Sequence, residues 1–198
     1  MSFKEEMFFY GVLFVVVAIS IKMFFESDAY NLKCVVSTVD GEKYCVRDSK
    51  YIDKSVDLLA NVAGKCKLLV VHMKKKHADR DDVNRLHTGF NETKITETLP
   101  NSTLTAYSEN KGQKIAFCLN KKKGGTEMID LNTLMFVAIH ELSHIMTLSI
   151  GHKQEFWENF KFLLEGATEI GIYVPEDYKE TPREYCSMMI KDNPYYDV

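Results

Sequence analysis

Proline and glycine are scarce in this 198-residue sequence, with four and ten copies respectively. That leaves little material for long linkers and excludes a collagen-like repeat. A surplus of basic charge is also missing: 25 Lys and Arg stand against 28 Asp and Glu, for a formal net charge of -3. Phosphate binding draws on such a surplus, so a protein built chiefly to hold nucleic acid is not expected. The five cysteines, Cys34, Cys45, Cys66, Cys118 and Cys186, are too few and too scattered for a disulfide scaffold, and none forms a CxxC pair. An odd number leaves at least one thiol unpaired within the monomer. No internal repeat is visible. What is present, 45% hydrophobic against 27% charged residues, is the balance of a folded domain rather than of a disordered chain.

The soluble picture breaks at the N-terminus. From Met7 to Phe25 the only charge is Lys22, close enough to one end for its side chain to snorkel to lipid headgroups. At about 1.5 Å per residue this run reaches roughly 28 Å, near the hydrocarbon thickness of a bilayer. Lys4, Glu5 and Glu6 make a poor basic n-region, and no small-x-small cleavage site precedes Ser27. An uncleaved single-pass anchor over residues 1–26 is therefore preferred to a signal peptide or a buried core helix. The sequons at Asn91 and Asn101 matter only if this part of the chain faces a lumen.

Residues 27–50 read as a lead-in with a small hairpin around Asp40-Gly41. From residue 51 to 198 the chain reads as one α+β domain. Ile52, Val56, Leu59 and Val62 recur at helical spacing, predicting a helix over Tyr51 to Lys65 that ends near Gly64. Leu68 to Val71 then reads as a buried strand closed by Lys74 to Lys76. A short helix over Asp79 to Leu86 follows, then strands at Leu104–Tyr107 and Ile115–Leu119 joined by a turn at Asn110-Lys111-Gly112. Leu134, Val137, Ala138, Leu142, Ile145 and Leu148 predict a helix that is apolar nearly all round, with Asn132 or Thr133 as its N-cap.

That helix contains His140-Glu141-Leu142-Ser143-His144, an HExxH pattern. Residues four apart share one helix face, so both imidazoles can reach a single metal ion, while Glu141 lies about 100° around the helix, outside the ligand set but near an attacking water. Two histidines make an incomplete site. His152 lies eight residues beyond His144, and on an unbroken helix it would sit about 12 Å further along the axis, too far to share the ion. The helix must therefore stop, and Gly151 offers the break. Phe156, Trp157, Phe160, Phe162 and Leu163 then begin a second amphipathic helix, whose Glu155, Glu158 and Glu165 are rival third ligands.

HELSH followed by GHxxxFW resembles the compact zinc-peptidase families of the WLM, SprT and YgjP-like type, in which the third ligand is the histidine before the aromatic pair. The flanking Asn110-Lys111-Gly112, Tyr185-Cys186 and Asn193-Pro194 also look like WLM-like proteins of large DNA viruses. The interval from second to third histidine is eight here, where WLM enzymes usually have six. The resemblance implies a zincin-like domain with an active-site helix and a small mixed sheet, zinc (Zn2+) as cofactor, His140, His144 and His152 as its ligands, and Glu141 as the catalytic base.

The expected function is a membrane-anchored zinc peptidase acting on a protein or peptide substrate. Tyr107, Tyr173 or Tyr185 are candidates to stabilise the oxyanion, and Ile115–Leu119 is the candidate edge strand for laying out a substrate. A structural or interaction protein, such as a virion component that keeps zinc for folding, is the competing class. A third is a DNA-associated repair peptidase, prompted by Lys74–Lys76 and Lys121–Lys123, although lysine triplets of this kind are more often solvated loops or lie against anionic lipid. Oligomeric state and membrane orientation stay open.

Overall fold

The computed structural model describes residues 3–26 and 32–197; the first part of the lead-in, 27–31, and Val198 lie outside them. Helix α1 (Phe3–Glu26) carries the N-terminal apolar run. Its segment Glu6–Phe24 has a mean hydropathy of 2.2 and none of it is buried against the rest of the chain, so the core-helix reading does not hold. It is long and apolar enough to cross a bilayer, a test that a signal sequence also passes.

The remaining elements are β1 (Lys33–Val36), β2 (Lys43–Val46), α2 (Ile52–Lys76), α3 (Asp81–Gly89), β3 (Ile95–Glu97), β4 (Ala106–Glu109), β5 (Lys114–Phe117), α4 (Leu131–Met146), α5 (Gln154–Glu169), β6 (Arg183–Tyr185) and β7 (Met188–Ile190). The first five strands form one mixed sheet in the order β1-β2-β3-β5-β4, and β6 with β7 forms a separate hairpin. The architecture is α+β, with an HExxH helix beside a small mixed sheet. The residues read as a lead-in supply two of the five strands. Their hairpin pairs Cys34 directly opposite Cys45, where the two form a disulfide, and its turn is held down by Asp57 of α2, whose carboxylate accepts from the Ser37 hydroxyl at 2.7 Å and the Thr38 hydroxyl at 2.9 Å.

Two expectations about strands are corrected. Residues 68–71 are not a strand, because α2 runs unbroken through Gly64 to Lys76. Leu59, Val62, Ala63, Cys66, Leu69, Val70 and Met73 form one continuous buried stripe, while Leu68 and Val71 point outward, 59% and 53% exposed. A four-residue apolar run cannot tell a buried strand from the seam of a long helix, and packing decides here for the helix. Nor is Ile115–Leu119 an edge. β5 lies between β3 and β4, so its backbone is paired on both sides; the sheet's edges are β1 and β4, and β4 is the one beside the HExxH helix.

A second disulfide joins Cys118, just after β5, to Cys186 at the turn of the β6–β7 hairpin, and Cys66 is the buried free thiol. The lysine triplets are engaged at the surface: Lys74 donates to Asn84, Lys76 pairs with Glu169, Lys121 pairs with Glu127, and Lys123 donates to the Ser102 carbonyl.

The turn between β4 and β5 packs backbone against backbone on the end of α3. Gly112 sits there at φ +104°, and a Cβ on it would lie 2.2 Å from the Gly89 carbonyl oxygen. Gly112→Ala therefore meets both a left-handed backbone and a wall of main chain that cannot yield. A loss of about 2 kcal/mol or more is expected, seen as a Tm lower by roughly 4–8 °C in a thermal melt. Gly64→Ala, in the middle of α2 with open space around it, should instead raise the Tm slightly through helix propensity.

Candidate metal centre

Helix α4 starts at Asp130, whose carboxylate accepts from the Thr133 N–H at 2.9 Å and the Thr133 hydroxyl at 2.7 Å; Asp130, not Asn132 or Thr133, is the N-cap. Asn132 instead ties the helix start to the C-terminal segment through the Val174 backbone. Burial of Leu134, Ala138, Ile139, Leu142 and Ile145 sets the rotation of the helix and presents His140 and His144 together on the opposite side.

The helix ends at Met146, before Gly151, and the chain reverses through residues 147–153 into α5. Gly151, at φ +80°, lies within that reversal rather than at the helix end. The reversal brings His152 back: its Nε2 lies 3.0 Å from the Nε2 of His140. The ring centroids of the three histidines form a nearly equilateral triangle, 5.0 Å for His140–His144 and 4.9 Å for each of the other two pairs. One ligand nitrogen from each falls within 4.8 Å of the others, and these three are the His, Cys, Asp or Glu group able to hold a metal among the described residues. Phe156, from the first turn of α5, packs beneath all three rings at centroid distances of 4.8, 4.5 and 4.6 Å.

Electrostatics suit a cation bound by neutral imidazoles. Burial, then the neighbouring His144 and His152, pulls His140 down to about 3; burial, then His152 and Lys111, pulls His144 down to about 4. Both rings are therefore uncharged at neutral pH with lone pairs available, a donor set that fits zinc. Burial pushes Glu141 up to about 8, opposed by the Ser108 backbone N–H; a cation held by the neighbouring histidines would draw it back down and favour the carboxylate, the form a base needs. Its Oε2 is buried and has no partner among the described residues. An unpaired buried carboxylate oxygen is costly, and a bound water beside the histidines would satisfy it. His140, Glu141, His144 and His152 all line one cleft of about 740 Å³, bordered by β4 on one side and by β7 on another.

Of the rival ligands, Glu165 is exposed and outside the cleft, and the other two are bonded elsewhere. The Glu155 carboxylate accepts the N–H groups of Leu148 at 3.0 Å and Ser149 at 3.2 Å, so it staples the reversal, and Glu158 accepts from Gln154. Of the three tyrosines, Tyr107 and Tyr185 line the cleft and Tyr173 does not. The Tyr185 hydroxyl is already committed, accepting from the Cys118 N–H and donating to the Thr105 carbonyl, both at 3.1 Å.

The sequence reading passed over Lys111 and Arg85. Lys111, at the β4–β5 turn, extends its ammonium to the carbonyls of His144 at 2.9 Å and Thr147 at 2.5 Å. It thereby caps the C-terminal end of α4, where carbonyls lack partners and the helix dipole favours positive charge. Arg85 of α3 donates to the Met146 carbonyl at 3.0 Å, and Asn159 of α5 donates to the buried Thr147 hydroxyl at 2.9 Å. Four side chains, one from the β4–β5 turn, one from α3 and two from α5, therefore fix the reversal that carries His152. Only Glu155, one residue before the aromatic pair, left a sequence signal, and it read as a ligand.

Comparison with known proteins shows what this arrangement is similar to. The WLM domain model matches residues 81–193, from α3 to beyond β7. The uncharacterized protein R325 of Acanthamoeba polyphaga mimivirus is 26% identical over 168 residues, which span 85% of this chain and 82% of that protein. The uncharacterized protein 136R of Invertebrate iridescent virus 6 is 35% identical over 41% of this chain and 44% of its own length. Protein 042R of Invertebrate iridescent virus 3 is 34% identical over 50% of this chain and 57% of its own. The chain thus spans about half the length of the two iridescent-virus proteins. Among solved structures, Wss1 from Saccharomyces cerevisiae superposes with a TM-score of 0.47 at 21% identity, covering 63% of this chain and 86% of that one.

The brace yields a test. Lys111→Met removes the ammonium that holds the carbonyls of His144 and Thr147, and the reversal carrying His152 should loosen. Metal affinity, measured by chelator competition, is expected to fall about 10- to 100-fold, the range usual for loss of a residue that orients a ligand. Lys111→Arg, which can still donate to those carbonyls, should recover part of it.

Proposed function

The chain belongs to the WLM-domain family, and on that premise we propose that it is a zinc-dependent peptidase tethered to a membrane by α1. Family membership assigns a metallopeptidase-like domain; the metal, the residue roles and the tether are the further steps. The observation that carries the reading is the convergence of three imidazoles beside a buried Glu141 whose Oε2 has no partner among the described residues, at the floor of an open cleft.

His140, His144 and His152 would hold the metal, and Phe156 packs beneath their rings on the side away from the cleft's opening. Zinc, when bound, supplies Lewis-acid chemistry, polarising a carbonyl and lowering the pKa of water beside it. Glu141 takes a proton from the attacking water at its free Oε2 as the water oxygen bonds to the peptide carbon. It then hands that proton to the leaving amine nitrogen as the carbon–nitrogen bond breaks. The Ser108 N–H fixes the carboxylate orientation while the other oxygen works. The outer edge of β4 offers main-chain groups for an extended substrate to pair with, and Tyr107, on that strand and in the cleft, is the remaining candidate to donate to the oxyanion. Nucleic acid has no part in this reading: four of the six triplet lysines hold surface bonds within the chain, and the sequence carries no basic surplus.

Two measurements decide the chemistry. His140→Ala, His144→Ala and His152→Ala should each strip zinc to a similar degree, since each removes one of three ligands. Glu141→Gln should keep its zinc yet lose about 10²- to 10⁴-fold in hydrolysis of a casein-like substrate at saturating zinc. Equal rates for Glu141→Gln and the parent would leave the histidines a structural site, as in the interaction-protein alternative.

For the tether, the full chain should stay with membranes through alkaline carbonate extraction, whereas a chain starting near Ser27 should be released. A mature N-terminus near residue 27 would identify the run as a signal sequence instead.

A further inference from the structure

Of the large apolar side chains exposed outside α1, four meet at the cleft. Leu104 is 53% exposed, Ile150 88%, and Met188 and Met189 each 46%, and all four line the same cleft as His140 and Glu141. Wet apolar groups beside polar machinery mark a surface that gains when something covers it. Phe136 and Val137 of α4 continue the apolar lining behind them.

The wall that carries Met188 and Met189 is rigidly mounted. Its turn residues Cys186 and Ser187 both have positive φ, 48° and 65°, the conformation of a tight two-residue hairpin. The Cys186 N–H donates to the Asn120 carbonyl at 3.0 Å and the Ser187 N–H to the Lys121 carbonyl at 2.8 Å, beside the disulfide to Cys118. Tyr185 bridges Cys118 and Thr105, and the Thr105 hydroxyl reaches the Met188 sulfur at 3.4 Å. The hairpin is thus fixed to the end of β5 and to the lead into β4, the edge strand of the cleft. A strand edge, the histidine triad and an apolar wall held at a set distance are the parts of a subsite built to select a side chain.

We propose that the β6–β7 hairpin is a specificity wall, and that the peptide segment processed here carries a bulky apolar residue, of the leucine, methionine, isoleucine or phenylalanine class, next to the bond positioned over Glu141. The proposal rests on the peptidase reading above and adds the substrate class. Methionine side chains are flexible and polarisable and adapt to several apolar shapes, so the wall selects a class rather than one residue. Lys191 and Asp192 also line the cleft, and their charges suit the solvent-facing rim rather than the seat of an apolar group, while the Lys111 ammonium is held by the carbonyls at the end of α4.

The test separates binding from catalysis. Zinc-loaded, full-length Glu141→Gln is titrated with two fluorescein-labelled Gly-Ser decapeptides, one centred on Leu-Leu and the other on Ser-Ser, and binding is followed by anisotropy. The Leu-Leu peptide should bind at least about tenfold tighter, the discrimination an apolar pocket delivers for small differences in side-chain size. Adding Met188→Ser and Met189→Ser should bring the ratio close to one. Should that double change prevent folding, judged by zinc content and melting, Leu104→Ser on the facing side is expected to cut the ratio several-fold. Equal affinity for both peptides, or a ratio untouched by folded wall variants, overturns the wall. Hydrolysis by the unmodified chain is scored separately. Preferential binding of Leu-Leu without cleavage supports the wall and overturns the peptidase reading, whereas cleavage of both peptides at equal efficiency overturns the wall alone.

Discussion

The reversal between α4 and α5 is the constraint on which the site depends. Two histidines four residues apart come together on any helix, but a third reaches them only if the chain stops, turns and returns within residues 147–153. Such a turn leaves the last carbonyls of α4 and the first amides of the loop without helical partners. Lys111 and Arg85 take up carbonyls, Glu155 takes up amides, and Asn159 holds the buried Thr147 side chain. The groups named here are satisfied by side chains of the β4–β5 turn, α3 and α5, so the loop is tied down from three sides. An interval of eight residues between His144 and His152 is compatible with a tight triad for this reason.

The rest of the fold supplies the anchor points for those braces. Lys111 stands on the β4–β5 turn, which is seated on the end of α3 through the contact of Gly112 with Gly89, and α3 in turn carries Arg85. The buried stripe of α2 forms the floor against which α4 and α5 pack, with Met73 and Leu69 meeting Gly166 of α5. The sheet does two jobs. Its buried face completes the core through Ile115 and Phe117, and its open edge, β4, borders the cleft. The Ser108 N–H of that edge faces the Glu141 carboxyl, so the strand and the candidate base meet in the cleft.

The two disulfides act at different ranges. Cys34–Cys45 staples strands already paired in register, whereas Cys118–Cys186 spans 68 residues and joins the sheet to the hairpin that closes the cleft. In a chain-entropy picture the longer loop is the more stabilising cross-link. Here it also decides where an apolar wall stands relative to the histidines, and so connects fold stability with the shape of the site.

The metal-site helix was legible from residues alone, because HExxH places two imidazoles on one face by helical geometry and the surrounding apolar residues announce burial. The need for a break before His152, the aromatic helix from Phe156, both sheet hairpins and the apolar N-terminal run were readable for the same reason: each follows from a local period or turn signal. Features set by contact between distant segments were not. Leu68 to Val71 looked like a strand until the seam on the far side of α2 was seen. Ile115–Leu119 looked as good an edge as its neighbour because pairing order is a property of the whole sheet. The cysteine partners, the Asp130 cap and the commitment of Tyr185 depended on which backbones came near. The sequence by itself determined which residues could hold a metal, since ligand chemistry and helical spacing are local. Only the tertiary structure brought His152 rather than Glu155 to them, because the unpaired amides of the reversal claim the glutamate while the turn carries the histidine back to His140.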